Sequence, residues 1–289
     1  MAQPSAEQSG SHEAAHAPHG HDSGHGAVPF LAHHFDTPKH QFESGKLGIW
    51  LFLVTEVLFF GGLFCAYAIY RSLHPEIFVY AHYYLDTFWG AVNTGVLILS
   101  SLTAAWAVRN AQLGEQKKLV FNLVATMVLA CCFLGVKYIE YSHKFHDNVL
   151  PGRHFNPTHE VWELESFKKA HGDLTAGTHA GSAPHAAEAV AQPQPGAVAA
   201  PGTEAKRPPP GAPAKPRNLS VFFSIYFFMT GLHGIHVVAG IITFGWLLRR
   251  ALRGEFGPQH FGAVDYAALY WHLVDLIWIY LFPLLYLIH

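Results

Sequence analysis

The sequence predicts an all-α polytopic membrane protein, a bundle of five transmembrane helices with a long extramembrane insertion between helices 3 and 4. Three observations predict it. Five apolar runs are each long enough to cross a hydrocarbon core, which takes about 20 residues as a helix. Of the 289 residues, 51% are hydrophobic and 13% charged, roughly half the charge of a soluble domain. Polar and low-complexity sequence is concentrated in two places, the N-terminus and one connection.

Taken in order, residues 1–40 form a polar tail with eight histidines (His12, His16, His19, His21, His25, His33, His34 and His40). Its polarity leaves no apolar core for a signal peptide. Residues 41–142 hold transmembrane helices 1–3, near 46–71, 86–109 and 117–142. Residues 143–217 are the insertion. Its early part carries Phe155, Trp162 and Phe167 and can form a short helix resting on the bundle or on a partner. From about residue 172 it turns Ala-, Pro- and Gly-rich, a composition with too little apolar surface to offset ordering entropy. Residues 218–289 hold helices 4 and 5, near 219–249 and 264–288.

Orientation follows from the cations beside the spans. Lys39 and Lys46, then Arg109, Lys117 and Lys118, then Arg249, Arg250 and Arg253 all fall on one side, against Arg71 in the short loop opposite. This predicts a cytoplasmic N-terminus, with the insertion and His289 on the outer face. Tyr80, Tyr83, Tyr84, Trp89, Trp106 and Tyr286 suit interfacial belts. The net charge of −2, with no basic stripe, argues against nucleic acid as a partner. Cys131 and Cys132 are adjacent and point to different helix faces, so with Cys65 they make no disulfide framework.

Inside the spans lie groups that are costly to bury. A carboxylate at the bilayer centre costs about 2.5–3.5 kcal/mol on insertion scales unless it faces protein or water. Glu56 sits about 15 Å into helix 1, counted from the cytoplasmic end at the helical rise. His233 and His236 on helix 4, and His272 and Asp275 on helix 5, fall in the same slab. The i, i+3 spacing of HGIH and HLVD puts each pair on one helix face. Interhelical hydrogen bonding, proton handling, metal ligation and haem ligation all remain open for this cluster. HxxH plus HxxD is a zinc-like donor set, and the His-rich tail looks like a metal-gathering arm, so a membrane metal or proton transporter is a rival reading. Lys137 and Glu140 read as an intrahelical ion pair or a partner contact. Asp265, at the start of helix 5, suits the helix dipole. No nucleotide-binding, zinc-protease or nucleophile-elbow motif is present.

Beyond the composition, particular segments resemble a known family, subunit III of the haem–copper oxidases, in its five-helix bacterial form. LGIWLFLVTEVLFFGGLFCAYAIYR (47–71) resembles the helix bearing that family's membrane-embedded glutamate, which falls on Glu56. NTGVLILSSLTAAWA (93–107) is similar to the next helix, and TGLHGIHVVAG (230–240) to the two-histidine signature, on His233 and His236. HFGAVDYAALYWHLVDLIWIYLF (260–282) resembles the last helix, with His272 and Asp275 in its motif and Asp265 where glutamate is frequent. Two departures stand out: the first two helices of longer members are absent, and the insertion is unusually long.

The resemblance implies an accessory subunit of a bacterial respiratory cytochrome c oxidase, without a catalytic residue, metal or redox centre of its own. Haem and copper are expected in partner subunits, with subunit I as the main contact and subunit II and a cytochrome c or larger respiratory assembly beyond it. Phospholipid is the expected ligand. Glu56 is the expected functional carboxyl, supported by a network of His233, His236, His272 and Asp275. Gly61–Gly62 and Gly90/Gly95 are expected partner contacts. A quinol oxidase or nitric-oxide-reductase-associated relative is the alternative within the superfamily.

Overall fold

A computed structural model describes residues 32, 35–149, 155, 157, 159–171 and 214–288. The histidine-rich stretch before His40 and the Pro/Ala-rich stretch of the insertion lie outside these residues. The chain divides into two compact units, Met1–Gln41 and Phe42–His289.

Seven helices are described: α1 (Pro38–Leu73), α2 (Pro75–Ala81), α3 (Thr87–Gln112), α4 (Gln116–His146), α5 (Glu165–His171), α6 (Leu219–Leu252) and α7 (Gly262–Tyr286). Five of them, α1, α3, α4, α6 and α7, are long and apolar enough to cross a membrane. These are the five runs expected from sequence. The first begins earlier, at Pro38, because Pro suits the first helical position and Thr37 caps it, its Oγ1 accepting from the His40 amide at 3.1 Å.

Local chemistry sets the other ends. His74 separates α1 from α2, and Pro75 opens the latter. The Asp86 carboxylate caps α3, accepting from the amides of Phe88 (2.9 Å) and Trp89 (3.4 Å). Three long helices stop alike, with a residue at positive φ: Gly114 (φ 73), Asn148 (φ 51) and Gly254 (φ 73). In each the next amide reaches back to the carbonyl five residues earlier, Glu115 to Asn110, Val149 to Lys144 and Glu255 to Arg250.

Helices α3, α4, α6 and α7 form a ring in which α3 packs on α4 and α7, and α6 on the same two. The buried stripe of α3 is built from small residues, Gly90, Ser100, Ala104, Ala107 and Ala111, with Asn93 and Leu97 between them. Small side chains allow the close helix approach that membrane packing relies on. Gly90 therefore belongs to the interior rather than to a partner contact: an added Cβ would stand 2.7 Å from the Phe282 ring. Gly61, Gly62 and Gly95 face open space.

Helix α1 is attached differently. Only Leu53, Phe60 and Tyr67 are buried, one seam at seven-residue spacing. Phe60 meets His236 of α6 edge-on at 5.2 Å, Phe64 meets Tyr280 of α7, and the Tyr67 hydroxyl donates to the Leu284 carbonyl. The rest of its apolar surface is exposed.

The two sides of the bundle differ in kind. On the basic side, Arg250 in the last turn of α6 ties down the loop to α7, its Nε donating to Glu255 at 2.6 Å and its guanidinium lying over Trp246 at 4.7 Å. On the insertion side, α5 and the turn at Val161–Glu163 rest on the bundle through buried Val161, Trp162 and Phe167, with Phe167 edge-on to Tyr83. Glu160 fastens this layer, accepting from Tyr80 (3.0 Å) and Lys215 (3.1 Å). Burial and that carboxylate hold the Tyr80 hydroxyl well above the ordinary phenol range, so it remains a donor. Tyr80 and Tyr286 are thus buried hydrogen-bonding groups and not belt residues, whereas Trp89 and Trp106 are about half exposed, at 49% and 51%.

Candidate functional site

The intramembrane polar residues do not converge on one site. Glu56 of α1 meets His236 of α6, Oε2 to Nε2 at 3.0 Å. His236 Nδ1 lies 2.9 Å from the Leu232 carbonyl, an acceptor only, so Nδ1 carries a proton. The remaining contact then needs one proton, held by either Nε2 or the carboxyl. A proton shifting between them changes no net charge, which lowers the cost of keeping both groups in a membrane. Each side chain is 18% exposed, on the thinly packed side of the bundle. Tyr270 of α7 donates to the His236 carbonyl at 3.0 Å and steadies that turn of α6.

His233 is fully buried, 5.6 Å from the Phe133 ring and 5.2 Å from Trp278, with no hydrogen-bond partner among the described residues. The expectation that His233 and His236 share a face is corrected here. Three residues leave a rotation of about 60° between them. On a helix wedged between α1 and the α4/α7 pair, that offset sends one imidazole outward and one into the core. In the other pair, His272 Nδ1 contacts the Ser101 hydroxyl at 2.5 Å, and Asp275 is buried with no hydrogen-bond partner for its carboxylate among the described residues. Among the described residues, no three His, Cys, Asp or Glu side chains gather as a metal-ligand set. Asp265, in the first turn of α7, faces Lys46 of α1 at 3.5 Å.

A denser network lies at the insertion end. Glu140 Oε1 accepts from Lys144 (2.7 Å), Tyr226 (2.7 Å) and Tyr286 (2.6 Å), and Oε2 from Lys137 (2.7 Å). Lys137 also donates to the Tyr286 hydroxyl at 2.6 Å and lies 4.5 Å over Trp278. Asp86 and Asp147 add negative charge near Lys144. Both lysines are buried, at 8% and 4% exposed. This arrangement holds α4, α6 and α7 together around one shared carboxylate. Sequence reading found Lys137 and Glu140 and missed the rest. Lys144 was signalled by its i, i+4 spacing from Glu140. Tyr226 and Tyr286 gave no signal beyond being aromatic near a span end.

Comparison with known proteins assigns the chain. The model of the family "Cytochrome c oxidase subunit III" matches residues 32–155 and 217–289, leaving out most of the insertion. Cytochrome c oxidase subunit 3 of Thermostichus vulcanus is 26% identical over 246 residues, covering 84% of this chain and 86% of the relative. The Marchantia polymorpha protein of the same name is 26% identical over 249 residues, covering 83% and 67% respectively. Quinol oxidase subunit 3 of Bacillus subtilis is 23% identical over 258 residues, covering 86% and 91%. The chain belongs to the cytochrome c oxidase subunit III family.

Proposed function

We propose that this chain is the accessory third subunit of a bacterial haem–copper oxidase that takes electrons from cytochrome c, reduces oxygen to water and pumps protons. The family match and the relatives named for cytochrome c oxidase support this reading. The comparable likeness to a quinol oxidase subunit keeps quinol as the alternative donor. The chain sits in the cytoplasmic membrane, its basic side inward and its insertion outward. The catalytic subunit seats against the exposed face of α1, where Gly61 and Gly62 leave room for close approach. Subunit II, and a cytochrome c or larger assembly, complete the complex. Phospholipid covers the remaining apolar surface.

Haem and copper belong to the partners in this reading, which the surroundings of His233 and His236 support. Both nitrogens of His236 are engaged, and the His233 ring is sealed between Phe133 and Trp278. The observation that carries a role in proton handling is the single-proton contact between Glu56 and His236 at the exposed side of the bundle. A carboxyl and an imidazole that share one proton can release it to a neighbour or take up a second, each time changing the pair's charge by one, and so can buffer proton supply.

Purifying the tagged chain from native membranes in mild detergent tests the assignment. The expected result is haem a, copper and a large catalytic subunit, with oxidation of ferrocytochrome c. Oxidation of quinol alone would move the chain to the quinol branch. A colourless, partner-free protein that transports metal or protons would overturn the oxidase reading.

A further inference from the structure

A cleft of about 400 Å³ opens at the α3–α4 hairpin on the basic side. Arg109, in the last turn of α3, and Lys118, in the first turn of α4, both line it. The Arg109 guanidinium has no hydrogen bond or ion pair among the described residues. Lys118 pairs with Glu115 at 2.9 Å, an exposed contact that solvent screens. Two cations and one carboxylate leave the lining with a net charge of +1, and the amides of Asn110 and Asn122 add neutral donors and acceptors.

Toward the membrane the lining turns aromatic. Trp106 is one turn deeper than Arg109 on α3, and Phe121 one turn deeper than Lys118 on α4. Below them each helix continues the same stripe with exposed apolar residues, Leu102 and Leu99 on α3, Val124 and Val128 on α4. Charge, then aromatic ring, then aliphatic groove is the order of phosphate, glycerol and acyl chain in a phospholipid. A free phosphate or an acidic peptide would use the cations and leave the apolar stripes without a role.

We propose that this cleft is a headgroup site for an anionic phospholipid of the leaflet on the basic side, its phosphate held by Arg109 and Lys118 and its chains lying along α3 and α4. This deepens the lipid-binding part of the function proposed above. It is tested separately, since the oxidase assignment stands without this site.

The test uses the assembly that co-purifies with the tagged chain, reconstituted into phosphatidylcholine nanodiscs with a small fraction of phosphatidylglycerol. Bound phosphatidylglycerol is counted by native mass spectrometry after detergent extraction. Wild-type assembly should retain one more phosphatidylglycerol than the R109Q/K118Q double variant, whose retention should weaken about tenfold or more. R249Q, which removes an exposed arginine on the same side, should behave as wild type, and millimolar inorganic phosphate should not displace the lipid. Where the double variant fails to assemble, R109Q alone carries the comparison. Equal retention in wild type and variant overturns the proposal. So does displacement by free phosphate, which marks a simple anion site, or loss of a partner subunit with lipid unchanged, which marks a protein interface.

Discussion

Glu140 and Glu56 are both carboxylates within membrane-crossing helices, and the protein treats them in opposite ways. Glu140 accepts four hydrogen bonds from two lysines and two tyrosines and ties α4 to α6 and α7. Glu56 has one partner, His236, on a helix that touches the ring along a single seam. In the first case four donors fixed on three helices hold the carboxylate, and the group clamps the helices together. In the second, one proton bridges two groups at an exposed edge, so little has to move for it to leave or return. Solvation of an embedded charge by many fixed donors and by one exchangeable partner are different solutions to the same cost.

The comparison is broken most directly at Glu140. Glu140→Leu removes the shared acceptor and leaves Lys137 and Lys144 buried without their main partner, which costs about 3–5 kcal/mol. The expected outcome is a subunit that no longer accumulates or co-purifies, read by membrane abundance and by thermal unfolding of whatever is recovered. Wild-type stability in this variant would mean the cluster is not a structural clamp. Tyr286→Phe is gentler. It deletes a hydroxyl that donates to Glu140 and accepts from Lys137, at a cost of about 1–3 kcal/mol. A lowered melting temperature with unchanged turnover is expected. An altered turnover at unchanged stability would mean this end also handles protons.

Much of the fold was legible because span length and hydropathy are read along one dimension. The five helices follow from it, and so does the docking of the early insertion, announced by Trp162 and Phe167. Depth was legible too: Glu56 and His236 do meet. Azimuth was not. Counting residues says how deep His233 lies but not that a 60° offset of about one-sixth of a turn sends it toward Phe133 and Trp278 instead of Glu56. The same gap misplaced Tyr286, whose position near a span end suits an interfacial belt, and Gly90, whose size suits an outer contact until Phe282 is seen against it. Which face a residue presents depends on how neighbouring helices are rotated, and one sequence does not encode that in any local pattern.

The smallest structural effect and the sharpest functional one are expected at Glu56. Glu56→Gln keeps the size of the side chain, and its amide can still donate to a neutral His236 Nε2, so the interhelical contact survives. Assembly should be intact and stability should change by less than about 1 kcal/mol, as for partly exposed polar contacts generally. What is lost is the exchangeable proton. The oxidase carrying this variant should therefore lose activity at a different rate during sustained turnover and pump protons with altered efficiency. His236→Gln should give the same phenotype, since either substitution leaves one group with nothing to exchange. Oxygen consumption and proton release followed over many turnovers make the measurement. If both variants inactivate and pump as wild type does, then Glu56 is a structural contact like Glu140, only weaker, and the contrast between the two carboxylates is one of degree.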